Sequence, residues 1–343
     1  MRLLLPPPPT IGAGRADHGA DPSSCDRERG TVTPPTVSVC IPTLNEEAHI
    51  EDCLRAIEHQ TYPNIVEVFV IDGGSTDRTR ELAAAHAGVV VLDNPRRIQA
   101  AALNIGLARA SGEIFVRVDA HCVVAPDYVA RCVEALARTD AAVVGGMMVP
   151  RAQGGLQRGI AEAMASRLGA GPARFHVGGP PGWVDTVYLG AFRTSLGRCL
   201  GGYDERVLVN EDAEFAFRAS RCGGVWFDPS IRATYRPRPG LRALARQFHR
   251  YGRGRARTVV KHPASLRPRQ LVAPALLVGL LSPKRRTVAT AYAVLVAGRA
   301  IEAARRGGDV AAGVALALPT MHVSWATGFV AELAYQIVRP PRR

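Results

Sequence analysis

Residues 113–123 read EIFVRVDAHCV. An apolar run ends in an acid and a histidine, Asp119 and His121, two positions apart. Residues i and i+2 of an extended segment point the same way, so the pair presents an oxygen and a nitrogen to one point. The run reads as a strand covered on both faces.

Working outward, runs of the same kind recur. VSVCIP (37–42), IVEVFVID (65–72), GVVVLD (88–93) and AAVVGGMMV (141–149) have strand length and little alternation. Between them lie EEAHIEDCLRAIEHQ (46–60), RTRELAAAHA (78–87), IQAAALNIGLARA (98–110) and PDYVARCVEALART (126–139), with helical spacing of apolar residues. In the first of these, Ile50, Cys53, Leu54 and Ile57 share a face, with Asn45 as the expected N-cap. Strands alternating with helices predict an α/β protein with a mostly parallel sheet flanked by helices.

Ligands on such sheets bind beyond the carboxyl ends of the strands. PTLNEE follows the first strand, Asp72 and GGSTD the second, and Asp119-Ala-His121 the fourth. Each has a plain structural explanation: Asp72 as a turn residue, Asp119 as a helix cap, His121 as a packed ring. Their convergence on one sheet edge points instead to a site. Further on, VNEDAEFAFRAS places Glu211 and Asp212 at a helix start, where the dipole favours acids in any case.

The chain has 343 residues and a formal charge of +13, carried almost wholly by arginine. Eleven Arg and one Lys fall between Ile231 and Gln270, with no acid among them. Such a block predicts an anionic partner: nucleic acid, lipid or phosphorylated substrate. The seven cysteines stand singly, with no CxxC pair. That excludes a zinc-finger pattern and a disulfide framework, and fits free thiols in a reducing compartment.

Together, IPTLNEE, DGGSTD, DAH in place of Asp-x-Asp, and NED followed by QFHRY resemble the family 2 glycosyltransferases of GT-A fold. The likeness spans roughly Val37 to Arg257. RVDAHC, VDTVYLGAFR, GGYDERVLVNEDAEFAFR and HVSWATGF are most similar to the succinoglycan-biosynthesis glucosyltransferase group. The resemblance implies that Pro42, Asn45, Glu46, Asp72 and Asp119 line the nucleotide. It implies that Asp119 and His121 hold a divalent cation on the diphosphate, and that Asp212, beside Glu211, is the catalytic base. It places Gln247, Arg250 and Tyr251 on acceptor and diphosphate; Tyr251 stands where processive members have Trp, which argues against processive polymerisation.

The chemistry suits these residue types. A divalent cation, Mn²⁺ or Mg²⁺, neutralises the leaving diphosphate. Asp119 is a hard oxygen ligand, and His121 tolerates Mn²⁺ better than Mg²⁺. An aspartate with a pKa near ~3.9 is a weak base that acts late, as the acceptor hydroxyl becomes acidic. In-line displacement inverts the anomeric carbon. GPARFHVGGPPGWVDTVYLGAF (171–192) has the composition of an acceptor-side loop, with Trp183 either stacking on a sugar or packed in the core, and Asp185 holding the loop.

After Pro263 the chain turns apolar. LVAPALLVGLLS (271–282) and TVATAYAVLVAG (287–298) are short for membrane spans, and 310–338 is long enough, interrupted by Pro319 and His322. The expected order is a leader (1–35), a GT-A catalytic domain (36–230), a basic juxtamembrane segment (231–270) and membrane-associated helices (271–338). Basic residues beside such segments stay on the cytoplasmic side. The expected protein is an inverting transferase at the inner membrane, facing the cytoplasm, moving a UDP-glucose-like sugar to a lipid-linked or glycan acceptor. A polyprenyl-phosphate sugar transferase is the enzyme alternative. Nucleic acid is disfavoured as partner, since the basic block holds few aromatics (Tyr235, Phe248, Tyr251) and an apolar tail follows it.

Overall fold

A computed structural model describes residues 34–338. The expected leader, 1–35, lies outside the described residues except for its last two positions.

The elements run β1 (Val37–Thr43), α1 (Ile50–Glu58), β2 (Ile65–Asp72), α2 (Thr79–Ala84), β3 (Val89–Asp93), α3 (Gln99–Arg109), β4 (Ile114–Arg117) and β5 (Cys122–Val124). Next come α4 (Tyr128–Thr139), β6 (Val143–Pro150), three short helices α5 (Gly155–Met164), α6 (Arg167–Ala170) and α7 (Arg174–Val177), then β7 (Gly182–Val184) and β8 (Tyr188–Arg193). The rest is α8 (Thr194–Cys199), α9 (Glu211–Ala219), β9 (Val225–Tyr235), α10 (Leu241–Lys261), α11 (Val272–Leu281), α12 (Arg285–Ala304) and α13 (Gly308–Val338).

The strands form one sheet in the order β3-β2-β1-β4-β8-β6-β9-β5, with β7 on β9. The first four are parallel, as their unbroken apolar runs predict. β8 then runs antiparallel between β4 and β6, and the short strands β5 and β7 pair antiparallel with β9. The sheet is therefore mixed, parallel in its N-terminal half. The short returning strands are too brief to carry a periodic signal.

Both faces are covered. Ile50 and Leu54 of α1 and Tyr128 and Leu136 of α4 pack with Val39 and Ile41 on one face. Leu103 of α3 and Phe215 of α9 pack with Cys40, Phe69, Phe115 and Phe192 on the other. A third cluster joins Ile160 and Met164 of α5 to Leu244 of α10 and to Val314, Leu318 and Met321 of α13. The longest apolar helix is thus packed against α5 and α10.

Two expectations change. Asn45 does not cap α1: it sits in a left-handed turn (φ 53°) and the helix starts at Ile50. A side chain that accepts from a neighbouring loop serves the turn rather than the cap. The basic segment is not a separate stretch: it forms the end of β9 and the long helix α10.

α12 and α13 are long and apolar enough to cross a membrane, with 11% and 39% of their apolar windows buried in the fold. α13 is held on one side by its neighbours, whereas α12 turns most of its surface outward. Flanking residues lengthen the second short apolar run into the 20-residue α12. Pro319 lies inside a continuous α13. His322 donates through Nε2 to the Leu168 carbonyl (2.8 Å) and accepts at Nδ1 from Tyr292 (2.7 Å).

Candidate active site

The carboxyl ends of β1, β2 and β4 open onto a cavity of about 1230 Å³. Its polar end is lined by Pro42, Glu46, Asp119, His121, Glu211, Asp212 and Arg250, with Gln247 and Tyr251 beside them. Its far end is lined by Val272, Leu276, Val288, Tyr292 and Trp325 of the C-terminal helices.

Asp72 closes β2 and is buried. Its carboxylate accepts from the Gly74 and Ser75 amides (both 3.0 Å), the Ser75 hydroxyl (2.5 Å) and Arg80 (3.1 Å). Burial opposes its charge, but these donors outweigh it and hold the carboxyl below the usual range. Asn45 clamps the same loop by accepting from the Thr76 amide at 2.8 Å. The loop after β2 is thus fixed to the loop after β1. Neither Asp72 nor Asn45 lines the cavity itself; both shape its rim.

Asp119 accepts from Arg117 Nε (2.9 Å) and Gln99 Nε2 (3.1 Å), both at Oδ1. Among the described residues Oδ2 has only a long contact from Arg117 at 3.4 Å, so this oxygen is available. Burial works against its charge, and Arg117 and His121 reverse that, so its pKa is lowered. Behind it, Arg117 also lies 3.1 Å from Glu211, outside hydrogen-bonding geometry. The arginine stays charged between the two carboxylates.

His121 places Nδ1 3.3 Å from Glu46 Oε1. Burial alone would lower its pKa, and Glu46 raises it. Nε2 has no hydrogen-bond partner among the described residues. A ring oriented through one nitrogen by a carboxylate, with the other free, is the arrangement metal-binding histidines adopt. No three His, Cys, Asp or Glu side chains converge as a metal cage among the described residues. An ion here would draw its remaining ligands from substrate oxygens, as Mg²⁺-type sites do.

Glu211 and Asp212 begin α9 as expected, but they differ. Glu211 is buried, and burial pushes its carboxyl up despite Arg117. Asp212 is half-buried and, among the described residues, accepts only from the Ala213 amide (2.7 Å). Asp212 is therefore the carboxylate open to a ligand, and Glu211 belongs to the scaffold that sets Arg117.

On α10, Gln247 is buried and donates to the Tyr235 (3.1 Å) and Tyr251 (2.7 Å) hydroxyls. Burial pushes both phenols up. Asn210 reaches the Tyr251 carbonyl at 3.1 Å, joining α10 to the start of α9. Arg250 is exposed and makes no side-chain hydrogen bond or ion pair among the described residues. Arg117, Gln99, Tyr235 and Arg238, which lines the cavity with its Nε 3.4 Å from Gln247 Oε1, were not marked as site residues by the sequence. A lone arginine in the apolar run before Asp119 was the one available signal.

Trp183 is not brought to the cavity. It is 56% exposed on β7 and packs edge-on against Trp226, 5.1 Å between centroids. It is not a core residue, and it lies outside the cavity lining. Asp185 bridges Arg267 (3.1 Å) and Arg269 (2.9 Å), so it does hold its loop, against the segment that follows α10.

The profile of Glycosyl transferase family 2 matches residues 38–200. The succinoglycan biosynthesis protein ExoA of Rhizobium meliloti (strain 1021) is 34% identical over 313 residues, 86% of this chain and 94% of the relative. The chain belongs to glycosyltransferase family 2 and is a glycosyltransferase. A dolichyl N-acetyl-alpha-D-glucosaminyl phosphate 3-beta-D-2,3-diacetamido-2,3-dideoxy-beta-D-glucuronosyltransferase of Methanococcus voltae is 27% identical over 232 residues, 63% of this chain and 71% of the relative. Among solved structures, the mannosyltransferase PcManGT of Pyrobaculum calidifontis, in complex with GDP-Man and Mn²⁺, has a TM-score of 0.58 and 24% identity. The likeness covers 91% of this chain and 89% of that one, and establishes the GT-A fold.

Proposed function

We propose that the protein is an inverting, membrane-associated transferase that moves a sugar from a nucleotide diphosphate, UDP-glucose-like, to a lipid-linked glycan at the cytoplasmic face. The product would feed a cell-surface polysaccharide, as the name of the Rhizobium relative suggests for that protein. One observation carries the reading. A single cavity joins the polar sheet edge to an apolar wall made by α11, α12 and α13. A reaction between two soluble partners has no use for the second half. The archaeal relative's name, with its dolichyl phosphate, supports a lipid-linked acceptor.

The roles follow the geometry. Pro42, Asn45, Glu46 and Asp72 shape the nucleotide end. Asp119 Oδ2 and His121 Nε2 would hold a divalent cation, Mn²⁺ or Mg²⁺, which when bound neutralises charge on the diphosphate. Arg117 and Gln99 fix Asp119, and Glu46 fixes His121. The acceptor hydroxyl attacks the anomeric carbon opposite the diphosphate; the new C–O bond forms as the sugar–phosphate bond breaks. The diphosphate leaves with the electron pair, and Asp212 takes the hydroxyl proton. Arg250, unpaired at the cavity wall, meets diphosphate oxygens, and Gln247 and Tyr251 set its helix.

Membrane association is supported by outward apolar side chains on α11, α12 and the end of α13, among them Val278, Leu281, Val294, Ile301 and Ile337. Arg242 and Arg246 add exposed basic residues along α10 suited to anionic headgroups. The test is transfer: membranes bearing the protein, labelled UDP-glucose and Mn²⁺, with label counted in the lipid-extractable fraction. Label that appears only in water-soluble glycan would refute the lipid-linked acceptor.

A further inference from the structure

Between the polar and apolar ends of the cavity stand two further arginines, Arg255 of α10 and Arg269 just before α11. Arg255 is anchored by a hydrogen bond from Nη2 to the Ser265 carbonyl. Its Nε is buried and has no hydrogen-bond partner among the described residues. Arg269 is bound to Asp185 at 2.9 Å, and the same carboxylate takes Arg267 at 3.1 Å. Arg267 and Arg269 share this one acid, and Arg255 stands near it with no carboxylate partner of its own among the described residues, so positive charge outnumbers negative at a half-buried place. Burial and the two neighbouring arginines lower the Arg255 pKa to about 10, which leaves it charged at neutral pH. Uncompensated charge with an unmet buried N–H is costly unless a ligand supplies the partner.

The chain continues from Arg269 directly into Val272 and Leu276, which line the apolar end. Cationic donors thus stand at the head of a hydrophobic channel. We propose that Arg255 and Arg269 form an anion subsite for the phosphate of an isoprenoid-type lipid, with its tail against α11 and α12. Guanidiniums suit this because their planar donors pair with two phosphate oxygens at once. Arg267, through Asp185, holds Arg269 in place. The assignment rests on the lipid-linked acceptor reading for its biological sense, but not for its test.

The test is binding, which needs no knowledge of the sugar. Detergent-solubilised full-length protein is titrated with a C15 isoprenoid diphosphate, the matching C15 alcohol, inorganic diphosphate, and UDP with Mn²⁺. The wild type should prefer the lipid diphosphate over the alcohol by about tenfold or more. In R255Q/R269Q that preference should fall to about threefold or less, with UDP binding unchanged as the check on folding. R269Q alone, which leaves the Arg255–Ser265 anchor in place, should fall part of the way. A preference kept in full by both variants, or absent from the wild type, overturns the subsite. Inorganic diphosphate binding as tightly as the lipid diphosphate would overturn the lipid assignment and, separately, weaken the lipid-acceptor reading, since the tail would contribute nothing.

Discussion

Arg117 is the residue on which the donor end turns. It lies between Asp119 and Glu211 and is almost fully buried, so each carboxylate is set by it. Replacing it by Met leaves two acids facing each other without a cation, and should cost about 3–5 kcal/mol of stability, read as a fall in Tm. A Tm within a degree of wild type would contradict the buried-cation account. Glu46 acts on His121 from behind, so Glu46→Ala should weaken Mn²⁺ affinity about 10–100-fold while leaving metal-free UDP binding alone. Unchanged Mn²⁺ affinity would remove His121 from the metal site. Asp119 and Asp212 were legible because each is a polar residue where an apolar strand ends or a helix starts. Arg117 was not, since one arginine in a strand reads the same at an exposed edge as beneath a site. Trp183 was ambiguous because stacking and packing aromatics have the same composition.

At the scale of elements, α10 is the strut that joins the catalytic domain to the C-terminal helices. It crosses α13 at backbone distance: a side chain at Gly252 would strike the Trp325 backbone, and one at Gly328 the His249 backbone. Arg253 and Arg257 close on the buried Glu332 at 2.8 and 2.7 Å. Gly328→Leu should push the helices apart and, because α10 carries Gln247, Arg250 and Tyr251, abolish transfer while sparing UDP binding. Transfer at the wild-type rate would mean that the crossing does not set the site. α10 meets α9 through Glu214, which takes Arg218 (2.8 Å), Lys261 (2.5 Å) and His262 (2.9 Å). Burial opposes its charge and these partners prevail, so the folded-state pKa is lowered. Its contribution is then complete above the unfolded value of about 4.3 and lost as pH falls through the folded value. Glu214→Gln should lower Tm at neutral pH, with the gap to wild type closing below about pH 4; a gap constant from pH 7 to 3 would contradict this. The sequence announced the arginines but not their partners. Charge density is local in the chain, whereas Glu332 and Glu214 reach α10 only through the fold.

For the whole molecule, the sheet supplies a polar edge and the C-terminal helices supply an apolar wall, and the two meet in one cavity. The N-terminal half of that design was readable, because parallel strands buried on both faces leave continuous apolar runs. The returning strands β5, β7 and β8 were not, being three to six residues long and without period. Nor was the docking of α13: an apolar helix reads alike whether lipid or protein covers it. Its contacts with α5, α10 and α12 assign one side of it to protein. If α11 and α12 meet the bilayer, L281D/I301D should reduce binding to anionic vesicles by about tenfold or more without loss of UDP binding. Equal binding would move the membrane contact elsewhere.

Under the proposed function, sugar transfer occurs at the sheet edge with Asp212 as base. The direct measurement is the rate of transfer by Asp212→Asn to a lipid-linked acceptor, with UDP affinity measured on the same preparation. The account predicts unchanged UDP affinity and a rate lower by about 10²–10⁴-fold. Transfer at the wild-type rate would assign the proton to another group and contradict it.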